Sequence, residues 1–224
     1  MALENFYTRL FDKVDDAIVA ELERASIVRS LDPHSYLFDQ YSEARGVYVL
    51  EEGVIMIERS SAAGRRQILG FSYPGDFVGL THNDFFEYSV QSLTHAKVRE
   101  FPISEFSRYS DKSPELKANI NRIGGGVFSH AIDQVFALGQ KRAHERVCYL
   151  LLEIRNRGVG PDENTIELPM TRQDIADYLG LTMETVSRAM RRLRNEGIIE
   201  IESSQTVKLL KPDAVARLGS VSGD

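Results

Sequence analysis

Cysteine is almost absent from this 224-residue chain, which carries only Cys148. That excludes an internal disulfide framework and any site in the chain needing two or more thiolates. Long apolar runs are missing too: no stretch approaches the roughly 18 residues of a membrane-spanning helix. Residues 1–20, MALENFYTRLFDKVDDAIVA, place acids inside the apolar segment and do not read as a signal peptide. These absences point to the cytoplasm and to no membrane partner. There is also no G-x-x-x-x-G-K, H-E-x-x-H or G-x-S-x-G, and the His, Asp and Glu residues are scattered, so no enzymatic activity is expected. What is there, 42% hydrophobic and 27% charged residues, is the composition of an ordinary globular protein. The length suits one large domain or two modest ones.

The net charge of −6 argues at first against a nucleic-acid partner. Its distribution reverses that argument. Residues 1–140 carry 14 Lys and Arg against 20 Asp and Glu, whereas residues 141–224 carry 13 of each. Within the second part, Arg188, Arg191, Arg192 and Arg194 crowd residues 182–194 with one acid, Glu184. Such a helix is either a solvated face or a nucleic-acid contact, and its surroundings decide between them.

Along the chain, residues 3–25 read as one or two amphipathic helices, with Leu3, Phe6, Leu10, Phe11 and Val14 at helical spacing. From about Ser26 to Ser107, short apolar runs alternate with turn signals, including EEG at 51–53 and AAG at 62–64, which read as hairpin-type connections. Strands of this spacing suggest a β-sandwich or rolled barrel. Ser113 and Pro114 fit a helix start. Leu116, Ile120, Ile123, Val127 and Ala131 then form one apolar stripe, and Phe128, Ile132, Val135 and Leu138 a second. A helix apolar on two sides must bury two sides, one against the β-domain and one in a dimer seam, for which Leu116, Ile120, Ile123, Val127, His130, Ala131 and Gln134 are the candidates; a core helix of a monomer is the alternative. Gly124-Gly125-Gly126 interrupts the pattern, at about 1 kcal/mol per glycine. A kink, a close neighbouring backbone or an easily unwound segment would each account for it. A further helix over 141–157, a loop over 158–164, two short helices and an apolar hairpin at 198–210 follow, with a frayed tail from Gly219.

The informative stretch is MTRQDIADYLGLTMETVSRAMRRLRNEGII, residues 170–199. Thr171 fits an N-cap, and Ile175, Ala176 and Leu179 give the first helix an apolar face. Ala176 is small enough to let a second helix cross closely, Gly180 suits a tight turn with positive φ, and Leu181 plugs the angle. Thr182 caps the second helix, whose Val186, Ala189, Met190 and Leu193 face inward. This is helix-turn-helix spacing. Its outward face reads Met183, Glu184, Thr185, Ser187, Arg188, Arg191 and Arg192. In a recognition helix, Arg188 suits bidentate pairing with guanine, Glu184 accepts from cytosine N4, and Ser187 reaches an adjacent base. Arg191 and Arg192 lie one turn later, suited to phosphate, and Arg172 and Gln173 reach toward the DNA backbone. Lys208 sits in the hairpin, which would be the wing.

GDFVGL at 75–80, KRAHERVCYLL at 141–151 and MTRQDIADYLGLTMETVSR at 170–188 resemble the CRP/FNR superfamily of bacterial transcription factors over nearly the whole chain. The Glu184-x-x-Ser187-Arg188 pattern is similar to the FNR/FixK branch, which reads TTGAT half-sites in an inverted repeat. The resemblance implies an α+β chain: an N-terminal helix and cyclic-nucleotide-binding-like β-roll (1–112), a dimerisation helix (113–140) and a winged-helix DNA-binding domain (141–224). Its partners would be double-stranded DNA, a second copy and RNA polymerase.

For the sensor half the resemblance points to a pocket at Gly79, His82, Tyr88 and Ser89. Cyclic-AMP receptors place a Gly-Glu-Leu cradle and an Arg-Ser pair there; this chain has Gly79-Leu80-Thr81 and Tyr88-Ser89. A buried phosphate without its arginine would be an unpaired charge, at a cost of several kcal/mol, so cyclic-AMP binding is not expected. FNR itself holds an iron–sulfur cluster on four cysteines, and this chain has none before Cys148. Cys148 reads as a buried structural thiol, with redox sensing the minority reading. Haem is the remaining cofactor alternative, for a gas sensor, with His82 the best placed of His34, His82, His95, His130 and His144; a small-ligand-binding regulatory module is a third reading. Without a cofactor the chain resembles FixK-type regulators of microoxic, anaerobic or nitrogen-oxide metabolism.

Overall fold

The computed structural model describes residues 10–158 and 160–221. The chain divides into two compact units, Met1–Phe128 and Ser129–Asp224, with the boundary inside one long helix. Leu3 and Phe6 lie outside the described residues.

In the first unit, α1 (Asp16–Ala25) starts where the Asp15 carboxylate accepts the Ala17 N–H at 2.8 Å. Eight strands follow: β1 (Ile27–Leu31), β2 (Tyr36–Phe38), β3 (Gly46–Glu52), β4 (Ile55–Ser60), β5 (Arg66–Ser72), β6 (Phe77–Val78), β7 (Ser89–Ser92) and β8 (Ala96–Pro102). They make two antiparallel four-stranded sheets, ordered β1-β8-β3-β6 and β2-β7-β4-β5. β3 is buried on both faces because side chains alternate. Val47 and Val49 pack toward the helices with Leu22, Phe101 and Phe106, while Tyr48 and Leu50 face the other sheet with Phe38, Ile55 and Val90.

The AAG turn closes the β4–β5 hairpin, but the EEG turn does not close one. β3 pairs with β6 and β8, and β4 with β5 and β7, so residues 51–53 carry the chain from one sheet to the other. Gly53 has φ +87°, and a Cβ there would stand 2.3 Å from the His95 carbonyl oxygen. The strand pattern also ends earlier than the sequence suggests. α2 (Ile103–Lys112) follows β8 at once and buries Phe106 and Tyr109 at helical spacing.

α3 (Pro114–Gln140) opens where the Ser113 hydroxyl accepts the Leu116 N–H at 3.1 Å. Leu116 and Ile123 are buried and Ile120 packs beside them, all in the core of the first unit. Spacing alone makes these three seam candidates; in the structure they join the core cluster of Leu22, Val47, Phe101 and Phe106. The helix runs unbroken through Gly124–Gly126, and a Cβ on any of the three would meet nothing within 4 Å. Among the described residues, no neighbouring backbone passes close there. Beyond the glycines the apolar residues emerge: Val127 is 59%, Phe128 67% and Val135 71% exposed, with Ile132 and Phe136 beside them.

The second unit holds the end of α3, then α4 (Ala143–Asn156), β9 (Thr165–Glu167), α5 (Arg172–Leu179), α6 (Met183–Asn195), β10 (Ile199–Ile201), β11 (Thr206–Leu209) and α7 (Pro212–Gly219). The 198–210 hairpin gains a third strand, giving the order β10-β11-β9. α7 runs up to Gly219, where the loose tail was expected to begin, and residues 222–224 of that tail lie outside the described residues. Gly219 is buried at its end, where a Cβ would lie 2.7 Å from the Cys148 carbonyl oxygen, so the two helices meet backbone to backbone.

Candidate nucleic-acid interface

Local chemistry builds the helix-turn-helix. At the start of α5, the Thr171 hydroxyl accepts the Asp174 N–H at 3.1 Å, and the Asp174 carboxylate accepts the Thr171 N–H at 2.9 Å. This reciprocal capping box satisfies donors that a helix start leaves open. Ile175, Ala176 and Leu179 are buried. Gly180 ends α5 with φ +61° and ψ +41°, a left-handed conformation that strains any side chain-bearing residue. The Thr182 hydroxyl then accepts the Thr185 N–H at 3.2 Å and opens α6. Val186, Ala189, Met190 and Leu193 pack α6 onto the unit.

The opposite face of α6 is open. Glu184, Ser187, Arg188, Arg191 and Arg192 are exposed, while Thr185 is half-buried. Hydrogen bonds from its own backbone N–H and from Thr182, with Arg188 nearby, hold the Glu184 carboxyl below its ordinary pKa, so it faces solvent as an acceptor. Arg188 donates to the Thr185 hydroxyl at 3.2 Å, which steadies a guanidinium otherwise free to extend. The two arginines assigned to phosphate differ. Arg191 makes no side-chain ion pair among the described residues, but Arg192 donates to Glu196 at 2.7 Å and lies 3.3 Å from Nδ1 of His144. On α5, Gln173 is exposed and donates to Asp177 at 2.7 Å. Arg172 is half-buried, which lowers its pKa, and its Nη1 is enclosed without a partner. Lys208 is exposed on β11, opposite Glu200.

The residues assigned to the seam separate. Val127 and Ala131 are exposed and Gln134 is half-buried, whereas His130 turns to its own chain, with Nε2 3.1 Å from Glu153 Oε1. Sequence spacing could not show that Glu153, a residue it did not single out, is the partner.

In the β-roll, three of the four pocket candidates, Gly79, Tyr88 and Ser89, hydrogen-bond within the chain. The Gly79 N–H donates to the Tyr88 phenol at 3.0 Å, and the Ser89 hydroxyl accepts the Gln40 N–H at 2.8 Å. Burial raises the Tyr88 pKa, so the phenol stays neutral. Its ring joins Phe38, Tyr48 and Phe86, with Phe38 and Phe86 stacked at a 3.7 Å centroid separation. Aromatic side chains thus stand beside the amide where a phosphate cradle would lie. A cleft of about 350 Å³ is lined by Phe38, Tyr48 and Phe86 together with Arg29, Arg45 and Glu100, with Arg29 and Glu100 paired.

The histidines do not suit a buried haem. His82 is exposed on its loop, His130 is taken by Glu153 and His144 stands against Arg192. No group of three His, Cys, Asp or Glu side chains among the described residues could hold a metal ion. Cys148 is fully buried, and burial pushes its thiol up to about 12.

No helix among the described residues is long and apolar enough to cross a membrane. Residues 145–218 match the Crp-like helix-turn-helix domain, and residues 28–113 the cyclic nucleotide-binding domain. The chain is 37% identical over 204 residues to the transcriptional activatory protein AadR of Rhodopseudomonas palustris, covering 88% of this chain and 84% of that one. It is 36% identical over 186 residues to the nitrogen fixation regulation protein FixK of Bradyrhizobium diazoefficiens, covering 82% and 78%. The solved structure of FixK2 from Bradyrhizobium japonicum superimposes with a TM-score of 0.83 at 29% identity, over 88% of this chain and 99% of that one. The chain belongs to the CRP/FNR superfamily of bacterial transcription regulators, in its FNR/FixK-like branch, a family of DNA-binding regulators and not of enzymes.

Proposed function

We propose that this protein is a homodimeric, sequence-specific transcription activator that reads an inverted repeat of TTGAT-like half-sites in the cytoplasm and engages RNA polymerase there. The open face of α6 carries the reading. Glu184, Ser187 and Arg188 occupy its N-terminal half, where a recognition helix meets base edges, and Arg191 extends the face toward phosphate. The apolar stripe from Val127 to Phe136 supports the dimer, because contiguous exposed apolar surface on a helix needs a partner. A two-fold pair would present two recognition helices one DNA turn apart, matching a palindrome. The Tyr88 phenol on Gly79 supports action without cyclic AMP. Membership of the FNR/FixK-like branch, with a nitrogen fixation regulation protein among the relatives, is the ground for placing the targets in microoxic, anaerobic or nitrogen-oxide metabolism.

The test is an in vitro binding selection at stated salt, with and without cyclic AMP and haem. Enrichment of a TTGAT-type palindrome, independent of either additive, is the expected result. Equal binding to selected and random duplexes would reject the function.

A further inference from the structure

Glu153, on α4, presents its two carboxylate oxygens to two different helices. Oε2 accepts the Tyr178 phenol at 2.6 Å, and Oε1 stands 3.1 Å from Nε2 of His130. Tyr178 is a buried residue of α5, the first helix of the helix-turn-helix. His130 belongs to the Ser129–Gln140 segment of α3. All three helical segments lie in the second unit. Asp133 of α3, Arg157 just beyond α4 and Tyr149 of α4, beside Tyr178, complete the charged and titratable surroundings. Arg146 ties the same helices at another point, donating to the Lys141 and Leu179 carbonyls at 2.9 Å each.

Partial burial raises the Glu153 carboxyl above its ordinary value, against the pull of His130 and Tyr178, while about a quarter of the side chain, 25%, stays open to solvent. Apolar side chains of similar volume would fill this space without that desolvation. What hydrogen bonds supply, and apolar packing does not, is a fixed distance and direction between the elements they join.

We infer that Glu153 is a positioning residue for DNA recognition: through His130 and Tyr178 it holds the helix-turn-helix at one angle on the seam segment of α3, and so sets the separation of the two recognition helices in the dimer. This rests on the dimeric DNA-reading function proposed above. Half-sites are about 34–36 Å apart per turn of about 10–10.5 base pairs, so one base pair of spacer moves a half-site by about 3.4 Å and rotates it about the helix axis. A reader with a fixed angle discriminates between such spacers, and a loosened one does not.

The experiment measures binding of the full chain by fluorescence anisotropy to the selected repeat, to the same repeat with one base pair added to or removed from its spacer, and to a random duplex. The wild type is expected to prefer the natural spacer by at least about tenfold. Tyr178→Phe and His130→Gln should each bring that preference below about threefold while leaving binding to the random duplex unchanged, and their combination should lose little more than either alone. Glu153→Ala should abolish the preference, and Glu153→Gln, which still accepts from Tyr178, should restore part of it. Wild-type spacer preference in these variants would overturn the inference. So would uniform weakening on every duplex with a fall in melting temperature, which marks a purely structural role. His130→Gln, at a partly exposed site, keeps the test decisive if Tyr178→Phe does not fold. A wild type that does not favour the repeat over random DNA would instead overturn the DNA-reading function, and this inference with it.

Discussion

The two units treat their polar groups in opposite ways. In the β-roll, the Gly79 N–H is met by Tyr88 and the Ser89 hydroxyl by Gln40, with Phe38, Tyr48 and Phe86 packed around them. In the winged helix, a capping box, an N-cap threonine and an αL glycine satisfy the helix ends, yet Glu184, Ser187 and Arg191 are left facing water. The long helix repeats the contrast along its length, with Leu116 and Ile123 buried before the three glycines and Phe128 and Val135 exposed after them. The β-roll meets the Gly79 amide with a side chain of its own, while the outer face of α6 keeps its chemistry toward solvent. Fold and function separate in this way because sites are grafted onto folds.

Three substitutions or reagents would break or sharpen that contrast. The largest effect belongs to the β-roll. Phe86→Ala removes a buried ring stacked on Phe38 in the β-roll, and the expected cost is about 3–5 kcal/mol in urea unfolding with base preference unchanged. A changed base preference would show that the β-roll and the reading surface are coupled. Next, Arg188→Ala should leave unfolding unaltered and weaken specific binding by about 1–3 kcal/mol, relaxing discrimination at one base pair; a loss shared equally by random DNA would make Arg188 a phosphate contact. The smallest effect concerns Cys148. With its thiol pushed up to about 12, the reactive thiolate becomes abundant only as pH approaches that value. Iodoacetamide at pH 8 should therefore label the unfolded chain and spare the native one. Rapid native labelling would reopen the redox reading.

The helix-turn-helix was legible because each of its positions answers a local steric demand. Thr171, Gly180 and Thr182 are cap and turn residues, and Ala176 and Val186 sit where a close crossing and a buried face require them. The β-roll was legible as alternating strands but not as a topology. Glu51–Gly53 looks like a hairpin turn, and only the pairing of β3 with β8, dozens of residues away, shows that it changes sheets. Three-residue β9 lacks a pattern of its own and exists as the partner of β11. α2 and α7 were hidden beside strand-like and turn-like residues. On α3, spacing marked two apolar stripes but could not say which half of the helix the β-roll covers.

By itself, the sequence determined what depends on residue type and near neighbours: no disulfides, no multi-thiolate cluster, a basic helix set in an acidic chain, and a reading motif whose caps lie within a few residues of one another. Only the tertiary structure decided what depends on residues far apart in the chain meeting. It brought the Tyr88 phenol onto the Gly79 amide, buried Leu116 while exposing Val135, and placed Glu153 between His130 and Tyr178. The physical reason is range. Capping and turn geometry act within one helical turn, whereas hydrogen-bond satisfaction of a buried group is settled by whichever side chain the fold delivers.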